Sequence, residues 1–185
     1  MKNTPHLPIK LQGQLLLADP SLRDGFFNKS VIFLTDHDHD EGAHGLVLNH
    51  PTEQTVGDLL SSDEFTDLAN IPIHLGGPVG QEQLTFAAFW TDQNNELKFT
   101  TRISAADALR HSQQPGTLIR AFAGHSAWQP VQLESELKKQ SWITTLPTSK
   151  ILESHHTKEL WKDLLRNISP YHKILAEAPD DIYLN

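Results

Sequence analysis

The segment from Asp36 to His44 concentrates side chains that could bind a divalent metal ion. It reads Asp-His-Asp-His-Asp-Glu-Gly-Ala-His, so imidazole nitrogens and carboxylate oxygens alternate along it. In an extended chain His37 and His39 share one face and the aspartates the other, so no ligand set is defined. An EF-hand loop is excluded because Val47 stands at its twelfth position. A solvated acidic turn is the simpler interpretation, and a metal site is the alternative.

Residues 124–128, Gly-His-Ser-Ala-Trp, match the first three positions of the nucleophile motif Gly-x-Ser-x-Gly. They follow a predicted strand and precede a predicted helix, which is the context this motif requires. Trp128 replaces the final glycine, and His125 is a poor base for Ser126 because neighbouring side chains diverge. A strand-end turn with a buried indole is the simpler interpretation. The serine-hydrolase alternative needs a distant base, for which the candidates are His37, His50 and His111.

Two other segments place small or polar groups at the ends of predicted strands. Residues 75–80, Leu-Gly-Gly-Pro-Val-Gly, could let backbone amides approach an anion. They lack the Lys-Ser/Thr of a phosphate loop and the Gly-x-Gly-x-x-Gly spacing, and Pro78 has no amide hydrogen. A tight turn is therefore predicted there. Asn49, His50 and Pro51 are likewise ordinary turn formers that could present polar groups.

Short apolar runs predict the strands that must position these groups. The predicted strands are 11–18, 30–35, 45–48, 71–75, 84–90, 97–101, 117–123 and 142–146. The second and third are expected to pair antiparallel, with the polar residues 36–43 between them. Strands dominate the first half and helices are interspersed later, without regular alternation. This order favours an α+β fold over an α/β fold.

Capping signals predict where the helices begin. Thr55 and Ser104 each precede an aspartate by three residues, which is the spacing of a capping box. A third helix is predicted over 130–140, with Leu133 and Leu137 facing inward and a Glu134–Lys138 pair facing outward. A last helix is predicted to begin near Thr157 and to carry an apolar stripe as far as Ile168.

The composition limits the classes of protein that the chain can belong to. It has 185 residues, 15 Lys+Arg and 23 Asp+Glu, a net charge of −8, and no cysteine. The length predicts one domain. The absence of cysteine excludes disulfides, thiolate metal sites and cysteine nucleophiles, and it is typical of a reducing cytoplasm.

Charge and hydropathy also indicate what the chain does not contact. No run approaches the ~20 apolar residues of a membrane span, and residues 1–10 contain Pro5 and Pro8 but no apolar signal core. We therefore expect a cytoplasmic protein that does not contact a membrane. The negative charge and the lack of long basic runs disfavour direct nucleic-acid binding.

Taken together, these segments resemble the YqgE/AlgH family of bacterial proteins over nearly the whole chain. The order and spacing of the matching runs make the resemblance specific, although each run alone is weak. The runs are 13–20, 27–31, 41–51, 76–79, Gly124 with Trp128, 132–134, 136–137, Trp142 and 184–185.

The resemblance implies an α+β fold in which a bifurcated sheet, including a small closed barrel, is flanked by helices. One branch of the family carries a link to transcriptional regulation of exopolysaccharide synthesis, and no enzymatic activity is carried over. The family typically has Met and Arg at His44 and His50, and Ala and Gly at Ser126 and Ala127. These departures argue against a serine nucleophile and against a metal site common to the family.

We therefore predict one α+β domain over residues 1–185, with 1–8 and 177–185 peripheral, and a bifurcated mixed or antiparallel sheet including a small closed barrel. Its predicted function is non-catalytic binding or regulation, acting through a protein partner or a small ligand and without a metal or cofactor. The alternative is a metal-dependent or serine hydrolase that uses the segment from Asp36 to His44 or Ser126. The candidate binding residues are His37, Asn49, Gly76, Gly77, Pro78, Trp128, Gln132 and Glu134.

Overall fold

The structure is a computed structural model that describes residues 10–148, 151 and 159–178. Within these residues the strands are β1 Leu15–Ala18, β2 Val31–Asp38, β3 Gly42–Val47, β4 Pro51–Thr55, β5 Pro72–Leu75, β6 Val79–Thr91, β7 Leu97–Ile103, β8 Leu118–Trp128 and β9 Trp142–Thr145. The helices are α1 Val56–Leu59, α2 Ala105–Ser112, α3 Gln132–Lys138, α4 Leu160–Arg166 and α5 Pro170–Glu177. A 3-10 helix, Asp63–Leu68, follows α1.

The strands form one mixed sheet that branches at β8. The main path runs β4-β5-β8-β3-β2-β1-β9, and β6 pairs with β8 and carries β7 on its other side. β8 is parallel to β5 and antiparallel to β6 and β3. The α+β class and the branching are thus observed. The predicted small closed barrel is wrong, because the sheet formed by the described strands is not closed and the two branches diverge from β8.

A glycine near the middle of β8 explains why this strand serves two branches. Gly124 has a φ of +72°, and a Cβ there would lie 2.7 Å from the Gly77 carbonyl oxygen. Before this residue β8 pairs with β5 and with most of β6, and after it β8 pairs with β3 and, at His125, with Val79 of β6. The sequence predicted that the strand ends at residue 123. Instead the glycine redirects the strand, which continues to Trp128.

The central strands β1 and β2 are buried on both faces. Leu15 and Leu17 pack into one apolar cluster with α4 and α5, whereas Leu16 and Ala18 pack into a second cluster with α3. This alternation is the two-residue period of a strand. Because both faces are covered, β1 appears in the sequence as a continuous apolar run.

The two helix starts predicted from capping boxes are confirmed, and the helix predicted over 130–140 spans Gln132–Lys138. The Thr55 amide donates to the Asp58 carboxylate at 2.7 Å in the first capping box. The Ser104 hydroxyl accepts from the Asp107 amide at 3.1 Å at the start of α2. The antiparallel pairing of β2 and β3 is confirmed as well, but Asp36 to Asp38 extend β2, so the connecting turn is shorter than predicted.

The C-terminal region contains two helices where the sequence predicted one. Ser169 caps α5, and Pro170 begins it, which interrupts the apolar stripe that starts in α4. Arg166 Nε donates to Glu177 at 2.6 Å and joins the two helices. The predicted helix start at Thr157, the predicted peripheral segment 1–8 and residues 179–185 lie outside the described residues. No helix in the described ranges is long and apolar enough to cross a membrane.

Candidate functional site

The structure brings together two of the predicted binding residues, His37 and Glu134. His37 Nε2 lies 3.2 Å from Glu134 Oε1, and the Leu11 amide donates to His37 Nδ1 at 3.3 Å. Since Nδ1 accepts, the neutral imidazole carries its hydrogen on Nε2 and donates it to Glu134. His39 Nδ1 lies 3.6 Å from the same carboxylate oxygen. Glu134 is thus paired with histidines of the β2–β3 hairpin instead of the predicted Lys138.

Trp128 and Gln132 are connected through Glu136, a residue to which the sequence analysis assigned no role. Trp128 Nε1 donates to Glu136 Oε2 at 2.9 Å, and Trp142 Nε1 donates to the same oxygen at 2.7 Å. Gln132 donates to Glu136 Oε1 at 2.9 Å. Only 5% of the Trp128 surface is exposed, so the indole belongs to the core under α3. The i, i+4 spacing of Gln132 and Glu136 on α3 was the available signal.

Replacing Glu136 with alanine is expected to lower the free energy of unfolding by about 2 kcal/mol, because two indole N–H groups lose their acceptor. Glu136→Gln should fall between the wild type and alanine, since its amide keeps one oxygen. Urea unfolding followed by tryptophan fluorescence measures the change. The matched control is Glu53→Ala at an exposed position on β4, which should stay within about 0.5 kcal/mol of the wild type. Equal stability of the Glu136 and Glu53 variants would contradict this role.

The other predicted residues lie elsewhere and make backbone contacts. Asn49 is buried, accepts from the Val31 amide at 2.8 Å and donates to the Lys29 carbonyl at 2.8 Å. Gly76 and Gly77 pack directly against the backbone of β8, and the neighbouring Pro78 is exposed. The contacts of Asn49 and of the glycine pair therefore fix strand positions. They do not connect these residues with the group around α3.

Two residues of the hydrolase alternative, Ser126 and Asp38, are hydrogen-bonded to the protein backbone. Ser126 lies inside β8, fully buried, and its hydroxyl donates to the Gly76 carbonyl at 3.2 Å. Residues 124–128 therefore form neither the elbow of the hydrolase alternative nor the predicted strand-end turn, although the Trp128 indole is buried as predicted. Asp38 accepts from the amides of Asp40 and Glu41, and these bonds lower the pKa of its carboxyl. Among the described residues, no three His, Asp or Glu side chains are grouped so that they could hold a metal ion.

A cavity of about 630 Å³ lies on the other side of the β2–β3 hairpin from these groups, between β3, β6, β7 and β8. We call it the Arg102 cavity. Its polar lining comprises Thr35, His44, Gln83, Thr85, Arg102, Ser104 and His125, and its apolar lining comprises Leu46, Leu84 and Ile103. Gly80 and Gly124 complete it. Apolar walls with a few convergent polar groups are typical of small-molecule sites.

Two histidines face each other in the Arg102 cavity. The rings of His44 on β3 and His125 on β8 have centroids 5.6 Å apart and planes tilted by 44°. Burial, followed by the charge of Arg102, lowers the pKa of His44, while Asp36 opposes the shift. Burial, His44 and Arg102 lower the pKa of His125. Both rings are therefore neutral at pH 7, and each offers one N–H donor.

The Arg102 cavity was not predicted from the sequence. His44 stood out only as part of the acidic segment, His125 only as a neighbour of Ser126, and Arg102 belongs to no recognisable motif. The three residues lie on three strands, and their approach depends on the β3–β8 pairing and on an irregularity in β7. Neither is visible as a local pattern in one sequence.

The architecture and the cavity define a class: single-domain mixed α+β proteins with a branched sheet and a polar cavity beside the branch. The model of the AlgH-like family, DUF179, matches residues 15–172, and the chain belongs to this family. The resemblance stated from the sequence is thereby confirmed.

Relatives and solved structures agree with this assignment. A UPF0301 protein of Streptomyces coelicolor is 34% identical, with 95% of each chain covered. A UPF0301 protein of Parabacteroides distasonis is 31% identical, covering 96% of this chain and 92% of that protein. The solution structure of AlgH from Pseudomonas aeruginosa has a TM-score of 0.64 at 24% identity, covering 97% of this chain and 99% of that one. A Corynebacterium diphtheriae crystal structure has a TM-score of 0.72 at 19% identity, covering 96% and 95%. These two likenesses establish the fold.

Proposed function

We propose that this protein is a non-catalytic binding protein that takes up a small ligand in the Arg102 cavity. The observation that carries the proposal is the cavity itself, whose volume of about 630 Å³ suits a metabolite-sized molecule. Its lining alternates hydrogen-bonding groups with apolar walls, which can fix the orientation of a ligand as well as bury it.

The chemistry of the lining supports binding more than reaction. No carboxylate is among the described residues that line the cavity. The Ser104 hydroxyl at its rim is already bonded to the Asp107 carboxylate at 2.7 Å, so Ser104 is not poised as a nucleophile. The hydroxyl of Ser126, the candidate in the hydrolase alternative, is bonded to a backbone carbonyl and buried.

We propose further that the liganded protein acts on a protein partner in the cytoplasm, and that any effect on transcription passes through that partner. The net charge of −8 supports an indirect route, because phosphate backbones are bound by clustered cations. The cysteine-free composition suits a reducing compartment. The predicted residues His37, Gln132 and Glu134 remain candidates for the partner contact.

Thr85→Phe, which fills the cavity, is expected to abolish ligand binding. The backbone amide spectrum of ¹⁵N-labelled protein is recorded with and without a small-molecule extract of the host. In the wild type, the amides of His44, Gly80, Gly124 and His125 should shift. The matched control is Thr91→Phe, which places the same ring at an exposed position at the end of the same strand.

Thr91→Phe should bind like the wild type, and thermal unfolding verifies that both variants fold. The proposal would be contradicted if the extract shifted no amide of the cavity in the wild type. It would also be contradicted if Thr85→Phe responded as the wild type does.

A further inference from the structure

Arg102 occupies a β-bulge in β7 at a backbone conformation that favours glycine. Phe86 pairs with Ile103 and Ala87 pairs with Thr101, so Arg102 is the extra residue on β7. Its φ is +56°, in the left-handed region. A bulge redirects the side chain of its extra residue, and glycine is the usual occupant of this conformation. An arginine at this position points to a use for its guanidinium.

The guanidinium of Arg102 has no carboxylate partner among the described residues. Two acidic groups lie near other residues of the cavity wall. Asp36 acts on His44 from the neighbouring strand, and a Glu82 oxygen lies 4.0 Å from where a Cβ on Gly80 would be. The Arg102 side chain is exposed at the wall of the cavity. An unpaired cation there attracts anions and repels metal cations. This local charge is opposite in sign to the net charge of the chain.

His44 and His125 complement the guanidinium as hydrogen-bond donors. Their rings lie together in the cavity, and Arg102 is close enough to both to lower the pKa of each. An anion placed between the three groups would reverse this repulsion and favour protonation of the imidazoles. Binding of such an anion is therefore coupled to proton uptake. The charged groups that face the pair are Arg102 and, beside His44, Asp36.

We propose that the Arg102 cavity binds a small oxyanion, the carboxylate or phosphate group of a metabolite, between the guanidinium of Arg102 and the imidazoles of His44 and His125. This inference rests on the proposed function and adds the charge of the ligand and the groups that recognise it. Thr85 and Gln83 line the rest of the cavity and are available for the remainder of the molecule.

Acetate and acetamide test the inference because they have the same shape and differ in charge. Each is titrated into the full-length ¹⁵N-labelled chain, with inorganic phosphate as a second oxyanion, and the cavity amides are followed. Acetate and phosphate should shift the amides of His44, Gly80, Gly124 and His125, and acetamide should not. The acetate dissociation constant should fall as the pH is lowered below 6.5, because a bound anion favours protonation of the two imidazoles.

Arg102→Gly separates binding from folding. Glycine adopts the positive φ without strain, so this variant should be at least as stable as the wild type. It should nevertheless bind acetate and phosphate at least about tenfold more weakly, because the charge-assisted contact is lost. Arg102→Lys keeps the charge and should retain part of the affinity.

Equal responses to acetate and acetamide would overturn the inference, as would undiminished oxyanion binding by Arg102→Gly. Shifts scattered over surface lysines with none in the cavity would overturn it too. If the host extract shifts the cavity amides equally in the wild type and Arg102→Gly while the oxyanions do not, the inference fails and the proposed function stands. If neither extract nor oxyanions act on the cavity, both fail.

Discussion

Gly77→Ala is expected to lower the free energy of unfolding by about 3 to 5 kcal/mol. A Cβ at this position would lie 2.0 Å from the carbonyl carbon of His125 and 2.2 Å from the amide nitrogen of Ser126. Both are backbone atoms of β8, so no rotamer change can relieve the overlap. Either β5 and β8 must separate or the residues between β5 and β6 must move, and each costs packing at the branch of the sheet.

The matched control for this prediction is Gly25→Ala. An added Cβ at Gly25 meets no atom within 4 Å, so this variant should differ from the wild type by less than about 1 kcal/mol. Urea unfolding compares the stabilities of the Gly77→Ala and Gly25→Ala variants. If Gly77→Ala does not fold at all, its loss of stability is larger than predicted but in the predicted direction. Near-wild-type stability of Gly77→Ala would contradict the close-packing role. It would reopen the sequence-based interpretation of the Gly-Gly-Pro segment as a place where an anion could approach.

Acidification from pH 6.5 to about 4 is expected to remove about 3 kcal/mol of stability through His74 alone. Burial, followed by the charge of Arg120, lowers the pKa of His74 from 6.5 to about 4, with part of the shift offset by the backbones of Pro72 and Ala121. The side chain is 4% exposed, and neither ring nitrogen has a well-formed hydrogen bond among the described residues. The imidazole is thus buried in its neutral form.

The sign of this pH effect on the free energy of unfolding follows from proton binding by the folded and unfolded states. Between pH 6.5 and about 4 the unfolded chain protonates His74 while the folded protein does not, so stability falls as the pH falls through this window. His74→Leu removes the titrating group and should flatten the pH dependence by about 3 kcal/mol. At pH 7 this variant should lose little, because an apolar side chain replaces an unsatisfied polar one.

Urea unfolding at pH 7 and pH 4 measures this difference, and an NMR titration of the His74 ring assigns it. A ring midpoint near 6.5, or an unchanged pH dependence in His74→Leu, would contradict the account. Arg120, whose charge contributes to the lowered pKa of His74, is itself buried and donates to the Leu48 carbonyl at 3.0 Å.

Local patterns predicted the elements whose causes are local. The capping boxes at Thr55 and Ser104 and the hairpin of β2 and β3 depend on neighbouring residues, and all three are present. The continuous apolar run of β1 indicated a buried strand because both of its faces are covered. The bifurcated sheet was expected only from the family resemblance, and no local pattern placed the branch at β8, since a glycine that redirects a strand and a glycine that ends one look alike in a single sequence.

The candidate sites illustrate the same limit. The sequence grouped His37 with Glu134, and the structure brings them together although they lie 97 residues apart. Trp128 was predicted to be a binding residue, whereas its indole lies in the core and donates a hydrogen bond to Glu136. The Arg102 cavity depends on the register of distant strands and on one extra residue in β7, and neither has a local signal.

Native mass spectrometry of the protein, purified gently from its host, tests most directly whether the Arg102 cavity holds a ligand. Wild type, Thr91→Phe and Thr85→Phe are compared under identical conditions. The account predicts an adduct of one reproducible mass on the wild type and on Thr91→Phe, and none on the cavity-filled Thr85→Phe. A bare chain in all three samples, or the same adduct on Thr85→Phe, would contradict it.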